Sequence, residues 1–324
     1  MQKFEKIKTI ADKRIALAKR GKTVSNDFVA GDILHITEKV DGHNASFSCA
    51  GEAFSREHLI NPTTNAPLVP FATLVDSLVP IMSKLKQELL DPTHTYQFYG
   101  EFMVRNRVID YAEDIYEKWV MFDIFDTTTN EYLGVEKAIL VADKMKNLVD
   151  TITADKILTP EVLHDEYKFS TYENLEQFVY DMHDASQIGV DGVMEGAVVS
   201  NLSRNFQGKP LRSKVVNSKF KESQRQVTNH KNHTLEIRAL LEHLTQARVS
   251  KIIMNLRDEG ILQPLSNEYY TTQLEIAVRA IAKDISEETD LTLPFETMEA
   301  GENVYNKIEA IARLTMIDIR NKHA

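Results

Sequence analysis

Thiols are all but missing from this chain: Cys49 is the one cysteine among 324 residues. That excludes an internal disulfide and a multi-cysteine zinc site, and it suits a reducing, cytoplasmic setting. Long apolar runs are missing too. No stretch approaches the ~20 apolar residues of a membrane-spanning helix, and the segment Met1-Gln2-Lys3-Phe4-Glu5-Lys6-Ile7-Lys8 lacks the uninterrupted apolar core of an export signal. A protein that neither crosses a membrane nor is exported by such a signal is expected. Basic charge is in deficit, 38 Lys and Arg against 48 Asp and Glu, for a formal net charge of −10. That balance argues against a generally basic nucleic-acid binder.

What is present is an ordinary globular composition, 43% hydrophobic and 27% charged, enough for one large domain or two moderate ones. The basic residues it does have are clustered. Arg204, Lys209, Arg212, Lys214, Lys219, Lys221, Arg225 and Lys231 stand against Glu222 alone, and the first 22 residues carry eight more basic side chains against Glu5 and Asp12. Two basic segments in an acidic chain point to phosphate-bearing partners.

Strand-like runs cover Asp32 to Val40, Ala45 to Cys49, Ala53 to Arg56, Tyr96 to Met103, Trp119 to Asp126, Gly192 to Ser200 and Arg212 to Phe220. Helical spacing runs from Phe71 to Leu90, interrupted by Pro80, from Val135 to Val149, and after Ser170-Thr171-Tyr172-Glu173, which has capping-box spacing. Beyond about residue 222 only helices are expected, over Leu235 to Leu256, Asn267 to Ser286 and Val304 to Asn321. The chain therefore reads as α+β, with a domain at 1–222 and a small all-α domain at 223–324.

The stretch Glu38-Lys39-Val40-Asp41-Gly42-His43-Asn44 places a lysine in a turn directly after a strand. A lysine amine with an ordinary pKa of ~10.4 is almost fully protonated at neutral pH, so a nucleophilic lysine needs partial burial or a cationic neighbour. Gly42 is expected to let the backbone turn tightly. Further along, Arg56 closes a hairpin where its fork of donors suits a phosphate, and Glu101 ends a strand with a carboxylate suited to ribose hydroxyls or metal-bound water. Phe122 is placed to stack on a purine. Glu195, beside Gly196 at the head of an apolar strand, is costly to bury unless it meets a cation, for which Mg2+ is the obvious choice. Lys214 in its apolar strand could neutralise a phosphate.

In this order, Lys39-Val40-Asp41-Gly42, Ser55-Arg56, Tyr99-Gly100-Glu101, Phe122-Asp123, Glu195-Gly196 and Lys214 resemble the ordered motifs of the covalent nucleotidyltransferases, the superfamily of ligases and capping enzymes. Within it, Glu38-Lys39-x-x-Gly42-x-Asn44 and Asn217-Ser218-Lys219-Phe220 look most like the phage-type RNA ligase 2 family. The resemblance implies an N-terminal adenylyltransferase domain of ATP-grasp-like antiparallel sheets with flanking helices, followed by a helical domain. It implies ATP, with Mg2+ (Mn2+ able to substitute), and an RNA partner bearing a 3′-hydroxyl and a 5′-phosphate. Lys39 would take AMP from ATP, Lys214 would contact the α-phosphate, and Glu38, Asn44, Arg56, Glu101 and Phe122 would hold the nucleotide. Glu195 and Glu101 would serve the metal, and Arg204, Lys209, Arg212, Lys219 and Lys221 the nucleic acid.

The chain departs from the family pattern at three positions. Asp41 stands where histidine is common, Val216 where a second lysine follows Lys214, and Ser200 where another lysine is often found. A DNA ligase of the same superfamily is the close alternative, a capping-type guanylyltransferase a more distant one, and a non-catalytic RNA-binding protein with a degenerate pocket the alternative of a different class.

Overall fold

The computed structural model describes residues 4–5, 7–10, 13–14, 17, 21–56, 58–61, 66–105, 109–182, 184–217, 243–262, 270–289 and 308–317. Two compact units make up the chain, one of Met1–Thr63 with Pro67–Asn217 and one of Thr64–Ala66 with Ser218–Ala324. Lys219 and Lys221 lie outside the described residues, as do 235–242 and the margins of the other C-terminal stretches expected to be helical.

In the first unit the β-branched and aromatic runs form β1 (Ile33–Lys39), β2 (His43–Ser48), β3 (Ala53–Phe54), β4 (Tyr96–Phe102), β5 (Trp119–Asp126), β6 (Glu131–Tyr132), β7 (Ile157–Leu158), β8 (Val162–Lys168), β9 (Gly196–Phe206) and β10 (Lys209–Val216). They build two sheets, one in the order β10-β9-β1-β8 and one in the order β3-β2-β4-β5-β6, with β7 alongside β5. The expected α+β class holds. The last two strands differ from expectation: β9 starts at Gly196 and runs on to Phe206, turning tightly into β10. Strand β8 was not expected at all, because its charged Val-Leu-His-Asp-Glu-Tyr-Lys sequence belongs to a sheet edge, where charge discourages further pairing.

Each sheet is covered on its outer face by helices. The second sheet packs Phe47, Phe98, Phe102, Trp119, Met121 and Ile124 against α1 (Val69–Leu78), α2 (Met82–Leu89) and α3 (Val135–Leu148), which bring Phe71, Leu74, Leu85, Val141 and Met145. The expected break at Pro80 is a short 3-10 turn, Val79–Ile81, between α1 and α2. Trp119 is fully buried, and its indole N–H donates to the Ala45 carbonyl at 3.0 Å, so a polar group is buried with its bond made. The first sheet packs Leu34, Ile36, Ala197, Val199, Leu211 and Val215 against Tyr172, Leu175 and Val179 of α4 (Tyr172–Asp181). The cap of α4 is Thr171, whose hydroxyl accepts from the Asn174 N–H at 3.2 Å, one residue later than the capping-box spacing suggested.

The described part of the second unit is helical. In it α5 (Gln246–Asp258), capped by Thr245, packs Val249 and Ile253 into one core with Ile281 and Ile285 of α6 (Tyr270–Thr289) and with Ile308, Ala312 and Met316. Arg248, 3% exposed, is paired with Asp284 at 2.9 Å.

Candidate active site

Strand periodicity decides which side chains meet between the sheets. On β1, Leu34 and Ile36 face α4, so Thr37 and Lys39 face inward. The register places Lys39 opposite Gly196, Thr37 opposite Val198, and Lys214 opposite Val198 from the other side. Lys39 and Lys214 therefore share one face, with β9 between them. On the second sheet, Phe47, Phe98 and Phe102 face the helices, leaving Asn44, directly opposite Glu101, on the inner face with Tyr99. The segment from 40 to 42 carries the chain from one sheet to the other, so Lys39 sits at the crossing point.

Lys39 is mostly buried, and its Nζ donates to Glu195 Oε2 at 2.5 Å; the Glu195 side chain is 5% exposed. The expected buried carboxylate thus meets a cation, and in this structure the cation is the lysine itself. Gly196 is fixed by packing, since a Cβ there would fall 2.0 Å from the Val215 carbonyl oxygen of β10. Gly42 is likewise a matter of close approach: a Cβ would lie 2.6 Å from the Phe102 carbonyl oxygen, and its φ is not in the left-handed region. Its N–H donates to Glu101 Oε1 at 3.2 Å, tying the expected carboxylate to the lysine turn.

Glu38 points the opposite way from Lys39 and is buried. Its Oε1 accepts from the Ser186 hydroxyl at 2.7 Å, while Oε2 finds no hydrogen-bond partner among the described residues. Burial, helped by the charge of Glu161, pushes its pKa from 4.5 up to about 7, against the pull of the Ser186 hydrogen bond. The native state therefore holds this proton more tightly than the unfolded chain does. Its contribution is full below about pH 4.5 and is lost as pH rises through about 7, a change of roughly 3 kcal/mol. Urea unfolding of the wild type should weaken between pH 5 and pH 8, and the Glu38→Gln variant should lose much of that slope. An unchanged slope in the variant would place the titration elsewhere.

Phe122 lies half-buried at a bulge in β5, facing the inner cluster of Tyr99, Phe125 and Tyr132, with Phe4 edge-on at 4.9 Å. Arg56 is half-buried just beyond β3. Lys214 is half-buried, its strand edge covered by the N-terminal segment through a bond from its N–H to the Lys8 carbonyl. Arg212, expected at a nucleic-acid surface, turns inward instead: its guanidinium donates to Asp123 Oδ2 at 2.6 Å, and the side chain is 8% exposed. Its guanidinium is thus engaged by Asp123, and Val216, where the second lysine is missing, is buried opposite Gly196. Arg204 pairs with Asp32 at 2.6 Å, and Lys209, half-exposed, lies 3.4 Å from Glu5. Two of these contacts had no signal in the sequence, Ser186 on Glu38 and Asp123 as an arginine partner. Each joins residues distant along the chain.

Among the described residues no three His, Cys, Asp or Glu side chains converge as a closed metal cage. Glu195 and Glu101 border the lysine turn with hard oxygen donors, which suits a cation such as Mg2+ or Mn2+ that keeps water and substrate oxygens in its shell. The donor set fits such an ion.

A family model described as RNA ligase matches residues 32–216, from the residue before β1 to the end of β10. The chain belongs to the RNA ligase family. Among solved structures, forms of Naegleria gruberi RNA ligase are similar: a mutant with AMP and Mn at 14% identity and TM-score 0.46, a mutant with ATP and Mn at 13% and 0.43, and the ligase with PPi at 13% and 0.45. Each comparison covers 68% of this chain and 57% of the other, so this chain spans less than two thirds of their length. No curated protein matches the sequence. No helix among the described residues is long and apolar enough to cross a membrane.

Proposed function

We propose that this chain is an ATP-dependent RNA ligase that works through a lysyl-AMP intermediate on Lys39. The observation that carries the reading is the inward-facing lysine at the sheet crossing, held by buried Glu195 within a family match that spans both sheets. Once Lys39 has given up a proton, its Nζ would form a bond to the α-phosphorus of ATP as the bond to the bridging oxygen breaks and pyrophosphate leaves. The AMP would pass to an RNA 5′-phosphate, and a 3′-hydroxyl would then displace it to seal the strand.

The inner faces suit these roles. Phe122 offers a half-exposed ring to the adenine, and Val198, opposite both Thr37 and Lys214, is a half-exposed apolar neighbour on the other sheet. Lys214 shares the face of Lys39, where it would stabilise charge on the α-phosphate. Asn44 and Glu101 stand side by side for the ribose, and Arg56 is the candidate for a phosphate. Mg2+ or Mn2+ near Glu195 and Glu101 would supply positive charge to the transferring phosphate. Arg204 and Lys209 remain candidates for the nucleic acid, where they would exchange acidic partners for phosphates.

Incubation with α-labelled ATP and Mg2+ should leave a covalent label that survives denaturation and mild alkali but is released by acid, as a phosphoramidate is, and chase with a nicked duplex should seal the nick. Nicks with ribose on the 3′-hydroxyl side should be sealed faster than the same nicks with deoxyribose, because the 2′-hydroxyl is the chemical difference at that point. Absence of label sinks the reading; equal or faster sealing of all-DNA nicks replaces it with a DNA ligase.

A further inference from the structure

Tyr111 stands in an irregular stretch that no motif covers, yet it touches both halves of the candidate site. It is 3% exposed, and its hydroxyl accepts the Asp41 backbone N–H at 2.6 Å, two residues beyond Lys39. The contact is doubled, because the Ile109 N–H points to the Asp41 carboxylate at 3.4 Å. The backbone of the same stretch pairs with the loop that leads into Glu195. Tyr111 bridges to Gly189, the Ala112 N–H donates to the Ile188 carbonyl at 3.0 Å, and the Val190 N–H donates to the Asp110 carbonyl at 2.9 Å. That loop also carries Ser186, the partner of Glu38. A further bond steadies the stretch itself, from the Tyr111 N–H to the Tyr116 hydroxyl at 3.1 Å.

We propose that Tyr111 is a positioning residue for adenylylation of Lys39, clamping the Asp41 turn to the loop before Glu195 and so setting how the lysine and that carboxylate meet. The inference rests on the proposed function of Lys39 and goes beyond it. It also assigns Asp41, where the family often has histidine, to anchoring this clamp: at 1% exposure it faces the protein interior.

The molecule supplies its own control. Tyr172, also 3% exposed, accepts the Phe28 backbone N–H at 3.1 Å on the far side of the first sheet, a buried bond of the same kind away from Lys39. Tyr111→Phe and Tyr172→Phe each remove one such hydroxyl, so both should lower the melting temperature by similar amounts. Only Tyr111→Phe should slow single-turnover lysyl-AMP formation, by about 10- to 100-fold, the scale of a reacting group displaced by a fraction of an ångström to an ångström. The ATP concentration giving half the maximal rate should stay within twofold of wild type. Amide hydrogen exchange should accelerate at Asp41 in Tyr111→Phe, a readout that needs no turnover and survives partial destabilisation. A Tyr111→Phe rate equal to wild type, or an equal slowing in Tyr172→Phe, or unchanged exchange at Asp41, overturns the positioning role. A wild type that takes no label at all would instead bring down the ligase reading, whatever Asp41 exchange shows.

Discussion

Lys39→Ala should take no AMP label, a loss on the order of 10^4-fold or more, as expected when the group that forms the covalent bond is deleted. The substitution has a second effect that must be separated from the first. Lys39 supplies the ammonium to the buried Glu195 carboxylate, and removing one member of a buried pair destabilises by roughly 3 kcal/mol. A loss of label could then be blamed on a damaged fold. The double variant Lys39→Ala/Glu195→Gln removes both charges, so it should regain much of the lost stability while remaining unlabelled. A third measurement isolates the chemistry further. An RNA whose 5′ end is already adenylylated skips the step that needs the lysine, so Lys39→Ala should still seal it. Label in either lysine variant, or restored label in the double variant, would exclude Lys39 as the nucleophile.

The face that carries Lys39 was legible in the sequence because β-strands write their register into alternation. The Ile33 to Lys39 run puts apolar residues at 34 and 36 and the lysine at 39, which is enough to place Lys39 away from the packed core. Trp119–Asp126 matched its expected bounds, and Pro80 broke the helical run where it had to, since proline removes a donor and clashes with the preceding turn. What escaped was set by distant partners. Edge strand β8 carries the charges of an exposed surface, so local pattern reading passed over it. The long hairpin of β9 and β10 was cut short because Arg204 to Lys209 reads as polar loop. Gly42 and Gly196 were visible as glycines, but their reason, a neighbouring strand within 3 Å of where a Cβ would stand, belongs to the assembled sheets. Tyr111 and Ser186 offered nothing, because a tyrosine or serine in a loop has no period to betray its partner.

Arg212 shows how a charge cluster misleads when burial is unknown, and it yields the other large expected effect. Asp123 is fully buried and accepts from the Ile124 N–H at 2.8 Å, the Gly134 N–H at 2.9 Å and Arg212 at 2.6 Å. The guanidinium also lies 5.5 Å from the centre of the Phe4 ring and 5.3 Å from that of Tyr132, so it joins β5, β6, β10 and the N-terminal segment. Asp123→Ala leaves this arginine without its buried carboxylate and should cost about 3–5 kcal/mol. For a unit of this size that corresponds to a fall in melting temperature of roughly 10 °C. Arg212→Gln should be destabilising on a similar scale, because Asp123 then keeps its charge and loses its counter-ion. A phosphate contact behaves differently: its loss would leave melting unchanged and reduce the slope of log affinity against log salt by about 1. Thermal melts and salt-dependent RNA binding of Arg212→Gln therefore separate the two roles. Unaltered melting with a reduced salt slope would return Arg212 to the nucleic-acid surface; a large fall in melting temperature with the slope intact is the expected result, because a guanidinium that is 8% exposed and held by Asp123 between the two sheets is not open to a strand outside.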